Sequence, residues 1–332
     1  MRAFPVTFVS LAFIACVAAL FACNAPKDES MLDAGSARKA YALVIHGGAG
    51  TIPKDIDPAE AQAYRAALEA ALREGLGILE VGGTALDAVQ SVLVRLEDDP
   101  LFNAGRGAVF THDGRHELDA AIMDGNALRC GAVAGLHTTK NPIKLARLVM
   151  ERTRHVLLAG EGADLFSREM GLAQVDQDYF FTQRRYEAWQ RVLARETKKL
   201  GTVGAAALDR AGNLAAGTST GGLTDKRYGR VGDVPVIGAG TYANNLSCAV
   251  SCTGIGEEFI RHNAAHEVSA LILHRGFTLE QAVNEVIGKQ LAPGDGGLIA
   301  VDAKGAIAMA FSTMGMYRGA ADSEGRFEVK IW

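Results

Sequence analysis

Gly201-Thr202-Val203-Gly204-Ala205-Ala206-Ala207-Leu208-Asp209-Arg210-Ala211-Gly212-Asn213-Leu214-Ala215-Ala216-Gly217-Thr218-Ser219-Thr220 is the stretch on which the fold turns. Thr202 to Leu208 reads as a strand of small apolar residues. Asp209-Arg210-Ala211-Gly212 is a D-x-x-G turn, and Asn213 to Ser219 is the returning strand. The phrase recurs as Ile299 to Val301, Asp302-Ala303-Lys304-Gly305 and Ala306 to Ser312. Helices expected at Glu257 to His274 and Leu279 to Lys289 separate the two hairpins. Two sheets covered by helices on their outer faces fit this pattern, which makes the chain a layered α/β protein. No fixed period runs through it, so it is not a repeat array.

Upstream, Tyr41 to Ile45 reads as a buried strand leading into a tight glycine turn, His46-Gly47-Gly48-Ala49-Gly50. Asp57 caps a helix with Pro58 at its first position, ending before Gly82-Gly83. Thr84, with Asp87 three residues on, caps a second helix to about Glu97. Strands are expected at Ala108 to Phe110, Leu118 to Met123, Cys130 to Leu136 and His155 to Leu158. A helix opens at Asn141-Pro142, and a polar helix spans Gln183 to Lys198.

Composition sets the bounds. The 332 residues are 48% hydrophobic and 22% charged with 38 glycines, an ordinary globular mixture. Net charge is −4 with no long basic run, which argues against nucleic acid as a partner. The N-terminus reads separately: Met1-Arg2, an apolar stretch Phe4 to Ala22, then Cys23 and polar residues. This is a secretory signal over 1–23, followed by a disordered linker over 24–39. Leu20-Phe21-Ala22-Cys23 resembles a lipobox. Lipidation of Cys23, with attachment to a bacterial membrane, and plain periplasmic release both stay open. Cys248 and Cys252 lie four residues apart in one strand, about 13 Å at ~3.3 Å per residue, too far for a disulfide.

Several familiar chemistries are excluded. No G-x-S-x-G elbow occurs. His262 and His266 lack the third feature of a zincin motif, since position 270 is Ala, and they read as surface histidines on a helix. The turn at 46–50 lacks the Gly-Lys-Ser/Thr of a phosphate loop. What remains are three hydroxyl–glycine clusters: Gly201-Thr202-Val203-Gly204, Thr218-Ser219-Thr220-Gly221-Gly222 and Ser251-Cys252-Thr253-Gly254-Ile255-Gly256. Each alone could be a β-branched strand end. Together they offer a nucleophile and backbone N–H groups for an oxyanion. A threonine freed at its N-terminus carries its own base, because an α-amine titrates at about 7.7–8.0. In Gly229-Arg230-Val231-Gly232-Asp233, a guanidinium and a carboxylate three residues apart suit an α-carboxylate and an α-ammonium.

These segments, with Leu101-Phe102-Asn103-Ala104-Gly105, Glu117-Leu118-Asp119-Ala120, Met123-Asp124-Gly125, Gly238-Ala239-Gly240 and Gly315-Met316-Tyr317, resemble the plant-type asparaginases, or isoaspartyl peptidases, of the N-terminal-nucleophile hydrolases. The resemblance implies a four-layer αββα sandwich, autocleaved between Gly201 and Thr202 into subunits of residues 40–201 and 202–332. Two such pairs would form a dimer of heterodimers. It implies Thr202 as nucleophile and base, Thr220 as its support, and Thr253 with Gly254 N–H as the oxyanion hole. Arg230 would hold the substrate carboxylate, Asp233 and the Gly256 carbonyl its ammonium, and Asn103 would lie nearby. The substrate would be L-asparagine or a β-aspartyl dipeptide. No cofactor is implied for catalysis. A structural sodium ion is implied on backbone carbonyls of Leu96, Glu97, Asp99, Phe102, Ala104 and Arg106. Alternatives are a glycosylasparaginase-like amidase, whose cleavage site usually carries Asp where this chain has Gly201, and a secreted amino-acid-binding protein.

Overall fold

The computed structural model describes residues 38–194 and 201–332. The signal segment, Cys23, most of the 24–39 linker and the end of the polar helix lie outside the described residues. Of the linker, Arg38 donates to the Arg210 carbonyl and Lys39 pairs with Asp322.

The chain is a mixed α/β protein built on two sheets. Strand β1 (Ala42–Gly50) is followed by helices α1 (Pro58–Glu80) and α2 (Ala85–Asp98). Then come β2 (Leu118–Asp124), β3 (Arg129–Leu136), α3 (Pro142–Arg152), β4 (Leu157–Ala159), α4 (Gly160–Glu169) and α5 (Gln183–Leu193). The second half holds β5 (Val203–Leu208), β6 (Leu214–Thr220), β7 (Thr241–Ala243), β8 (Cys248–Gly254), α6 (Gly256–His262), α7 (Ala264–Arg275) and α8 (Leu279–Glu285). It closes with β9 (Gly296–Asp302), β10 (Ile307–Phe311), β11 (Gly315–Asp322) and β12 (Phe327–Lys330). One sheet runs β12-β11-β1-β5-β6-β2-β3-β4, with only β3–β4 parallel; the other runs β10-β9-β8-β7.

Strand alternation sorts side chains to two cores. Leu43 and Ile45 of β1, with Val203, Ala205 and Ala207 of β5, pack with Leu68, Leu72, Val92 and Leu93 of α1 and α2. Ala42, Val44, Ala206 and Leu208 point the other way, onto Val250, Leu298 and Ala300 of the second sheet and Val268 and Val283 beyond it. Small residues at these facing positions let the layers close tightly. The fully buried leucines 68, 72 and 93 anchor the first core, and truncating one to alanine should cost about 2–5 kcal/mol.

Both hairpins form as read: β5 and β6 pair from Val203↔Ser219 to Leu208↔Leu214, and β9 pairs with β10. The caps form too, with Asp57 accepting from Ala59 and Glu60 N–H and Thr84 from Asp87 N–H. Three expectations fail, and one helix goes unread. The glycines at 46–50 do not turn; β1 runs straight through them with a bulge after His46, because β11 supplies pairing partners to its end. Residues 108–110 are not a strand; Val109 N–H bonds the Asn103 side chain and Phe110 stacks on Trp189. The helix expected over 257–274 breaks at Asn263, which takes a left-handed φ of 48°. Helix α4 was not expected at all, its two glycines masking the periodicity. No disulfide forms among Cys130, Cys248 and Cys252.

Candidate active site

Register places the central residues. His46 lies opposite Gly204 on β1–β5, and Gly204 lies opposite Thr218 on β5–β6. Two residues further along the same pair of strands, past Val203↔Ser219, Thr202 comes beside Thr220. The Thr202 hydroxyl lies 3.2 Å from the Thr220 hydroxyl and 2.8 Å from the carbonyl oxygen of Gly201. That carbonyl also accepts from the Thr220 hydroxyl at 3.2 Å and from Asn103 Nδ2 at 2.6 Å. Asn103 is itself held: Nδ2 donates to the Gly222 carbonyl at 2.8 Å, and Oδ1 accepts from Val109 N–H at 3.0 Å. The Gly201–Thr202 peptide is therefore surrounded by donors aimed at its carbonyl, and Thr202 is buried.

The strand β8 closes the far side. Ser251 and Thr253 share its inward face, two residues apart. A Cβ on Gly204 would stand 2.0 Å from Ser251 Oγ and 2.1 Å from His46 Nε2, so only glycine admits this contact. A Cβ on Gly48 would meet Gly201 Cα and Thr202 N, both at 3.1 Å. The Thr253 hydroxyl accepts from the adjacent Ala49 N–H at 3.2 Å. His46 bonds the Thr202 carbonyl through Nδ1 at 3.2 Å and Ser251 Oγ through Nε2 at 2.9 Å. A carbonyl can only accept, so Nδ1 carries the proton and Nε2 accepts from Ser251. Burial pushes the His46 pKa down to about 3, which keeps the ring neutral. Ser251 continues into Thr218 at 2.7 Å and Thr241 at a further 2.7 Å, a buried chain of hydroxyls.

Arg230 and Asp233 are brought together by Gly256, whose missing Cβ would lie 2.7 Å from Asp233 Oδ1 and 2.8 Å from Arg230 Nη2. Arg230 is engaged in a two-pronged pair with Glu257, at 2.9 Å on each arm. Asp233 is buried, and its Oδ2 has no hydrogen-bond partner among the described residues. Desolvation lifts its pKa from 3.8 to about 7, against the lowering effect of Arg230. A buried carboxylate with an open oxygen beside a guanidinium matches a zwitterion in charge and arrangement.

The profile of a protein family described as Asparaginase matches residues 39–331. The chain belongs to the asparaginase family. It is 50% identical over 294 residues to an isoaspartyl peptidase of Salmonella typhimurium, covering 83% of this chain and 93% of the relative. The Escherichia coli isoaspartyl peptidase is 49% identical, covering 83% and 91%. A human isoaspartyl peptidase/L-asparaginase is 44% identical over 273 residues, covering 79% and 87%.

Within this asparaginase-family chain, several side chains to which the sequence reading gave no role turn out to be buried polar groups. Glu97 is fully buried, accepts from Ser219 Oγ at 2.7 Å and Ile143 N–H at 3.0 Å, and is pushed up to about 8 by burial. Asp119 lies across from Thr220, accepts from Gly135 N–H at 2.8 Å, and is raised by burial. Nearby Lys226 is buried, with Nζ donating to the Glu117 carbonyl at 3.0 Å. Only position within a motif could have flagged these, since a charged residue does not announce its own burial. His262 is exposed at the end of α6, while His266 packs edge-on against Tyr242 at 5.0 Å on the next helix. No group of three or more His, Cys, Asp or Glu side chains suited to a metal exists among the described residues. In the loop after α2, backbone oxygens crowd two glycines. Glu97 O lies 2.3 Å from a Cβ built on Gly105, and Phe102 O and Pro100 O lie 2.1 and 2.6 Å from one on Gly107. These oxygens leave no room for a side chain at either glycine.

Proposed function

We propose that this protein cuts itself before Thr202 and then uses Thr202 to hydrolyse the side-chain amide of L-asparagine and the isopeptide bond of β-aspartyl peptides, releasing L-aspartate. The carrying observation is the cluster on the Gly201 carbonyl: Thr202 Oγ1 at 2.8 Å, Asn103 Nδ2 at 2.6 Å and Thr220 Oγ1 at 3.2 Å. In self-cleavage the Thr202 oxygen adds to the Gly201 carbonyl carbon. Its proton passes through the Thr220 hydroxyl, and Asn103 stabilises the oxyanion. As the C–N bond breaks, the proton ends on the Thr202 nitrogen and leaves an ester; water then releases the Gly201 carboxylate. The freed amine becomes the base for turnover. The substrate's α-carboxylate displaces Glu257 from Arg230, and its α-ammonium meets Asp233 and the Gly256 carbonyl. Thr202 attacks the side-chain carbonyl, with Thr253 Oγ1 and Gly254 N–H receiving the oxyanion. Ammonia or a peptide leaves, and water resolves the β-aspartyl ester.

The same reading includes the four-layer αββα sandwich of the N-terminal-nucleophile hydrolases, supported by helices α1–α3 on one sheet, α7 and α8 on the other, and a shared core between the sheets. It includes subunits of residues 40–201 and 202–332, and a dimer of the resulting pairs, which light scattering tests. A sodium ion on the carbonyls of residues 96–106 would brace the loop that carries Asn103 and take no chemical step; replacing Na+ by choline should lower the melting temperature. Export through residues 1–23, with Cys23 lipidated or the chain released, is tested by the mass of the mature N-terminus. The decisive experiment is intact-mass analysis after incubation at neutral pH, paired with ammonia release from L-asparagine. Fragments meeting at Gly201 and Thr202, with ammonia, support the reading; a whole, inert chain overturns it in favour of an amino-acid-binding protein.

A further inference from the structure

A cavity of about 270 Å³ opens beside Gly201 and Asn103. Its wall includes Tyr64, Arg184, Arg185 and Tyr317, but not Arg230, Asp233, Thr253 or Gly254. A substrate whose aspartyl head is held by Arg230 and Asp233, with its amide carbon at Thr202, directs its leaving group away from the clamp and towards this space. The volume takes about one amino-acid residue.

The cavity's two carboxylates and two guanidiniums balance in number, but only Glu60 and Arg184 are paired with each other. Of the two carboxylates that line it, one is held by a helix start and the other by Arg184, so neither is paired with Arg185. Asp57 caps α1, accepting from Ala59 N–H at 2.7 Å and Glu60 N–H at 3.1 Å. Glu60 pairs with Arg184 at 2.8 Å. Arg185 is left with backbone oxygens: Nε donates to the Gly107 carbonyl at 2.7 Å and Nη2 to that of Leu101 at 3.3 Å. Among the described residues it joins no ion pair. Neutral carbonyls satisfy hydrogen bonds without cancelling a charge. Desolvation is felt strongly enough to bring the Arg185 pKa down to about 10. A half-buried cation that joins no ion pair among the described residues, in a cavity next to the reacting peptide, is a receptor waiting for an anion.

We propose that Arg185 anchors a leaving-residue subsite that binds the α-carboxylate of the residue released from a β-aspartyl dipeptide. This rests on the hydrolase reading above and extends it to substrate choice. L-Asparagine releases only ammonia and has nothing to place there, so Arg185 separates the two substrate classes. Self-cleavage would create the same chemistry at a second source, the new carboxylate of Gly201 in the same cavity.

The test compares kcat/KM of the mature enzyme on β-aspartyl-leucine, β-aspartyl-leucine amide and L-asparagine, for wild type, Arg185→Gln and Arg185→Lys. Wild type should prefer the free acid over the amide by about tenfold or more, the scale of one charge-assisted contact. Arg185→Gln should erase that preference while L-asparagine turnover stays within about twofold, and Arg185→Lys should restore part of it. Equal handling of acid and amide by wild type overturns the proposal, and that arm stands even if the variants fold poorly. It would leave Arg185 at most to the Gly201 carboxylate, which forms only after cleavage, so Arg185→Gln would then mature at the wild-type rate and show no substrate discrimination. An equal loss on all three substrates in Arg185→Gln would make it a support for the 101–107 loop and would also overturn the subsite. Failure of the hydrolase reading itself looks different: wild type would turn over none of the three.

Discussion

Replacing Asn103 by alanine tests the self-cleavage geometry most directly. Asn103 Nδ2 is the closest donor to the Gly201 carbonyl, at 2.6 Å, and the only donor there that is not a threonine hydroxyl among the described residues. Charge builds on that oxygen as Thr202 attacks. Losing one oxyanion donor costs on the order of 10²–10³ in rate, or roughly 3–4 kcal/mol of barrier. There is also a structural cost. The Gly222 carbonyl and the Val109 N–H lose their Asn103 partners, and an orphaned buried group costs about 1–3 kcal/mol. The assay is therefore a time course of the fragment spanning residues 202–332, followed by mass spectrometry, alongside a thermal melt. Maturation should slow at least a hundredfold in a protein that still melts cooperatively. A folded Asn103→Ala chain that matures within threefold of wild type would refute the oxyanion assignment and leave Thr220 alone to carry it.

Four further outcomes follow from the same geometry. Thr202→Ala should stay whole and release no ammonia, while Thr202→Ser, which keeps the hydroxyl, should still be cut; gel analysis and an ammonia assay decide both. Gly204→Ala places a methyl within 2.1 Å of His46 and Ser251, so it should cost about 1–3 kcal/mol in denaturant melts and slow maturation by displacing the Thr202 carbonyl. Asp233→Asn should separate stability from function. The folded protein holds the Asp233 proton more tightly than the unfolded chain, up to about 7 against 3.8, so the group's contribution to stability falls as pH rises through that window. The Asn variant should lose that slope and gain up to about 4 kcal/mol at pH 8, while kcat/KM collapses. In wild type, KM should rise as pH drops below about 7, because a protonated Asp233 cannot pair with an ammonium; a flat KM from pH 5 to 8 would refute this role.

Much of this protein was legible in its sequence because the signals were local. The small-residue strands and D-x-x-G turns of the two hairpins, the Asp57 and Thr84 caps, and the coincidence of threonines with glycines each depend on neighbours a few residues away. What sequence could not settle depended on contacts from elsewhere in the chain. Glycines 46–50 look like a turn until β11 pairs with them, and a break at Asn263 leaves no trace in hydrophobic periodicity. The site shows the same division. Residue types marked the threonine–glycine clusters and the Arg230/Asp233 pair, and the family resemblance singled out Thr220. Only strand register set Thr202 against Thr220, and only packing buried His46, Glu97 and Asp119 and left Arg185, among the described residues, without a counter-ion. Burial and long-range pairing are properties of the folded whole. They decide protonation and reactivity, which the identity of a residue leaves open.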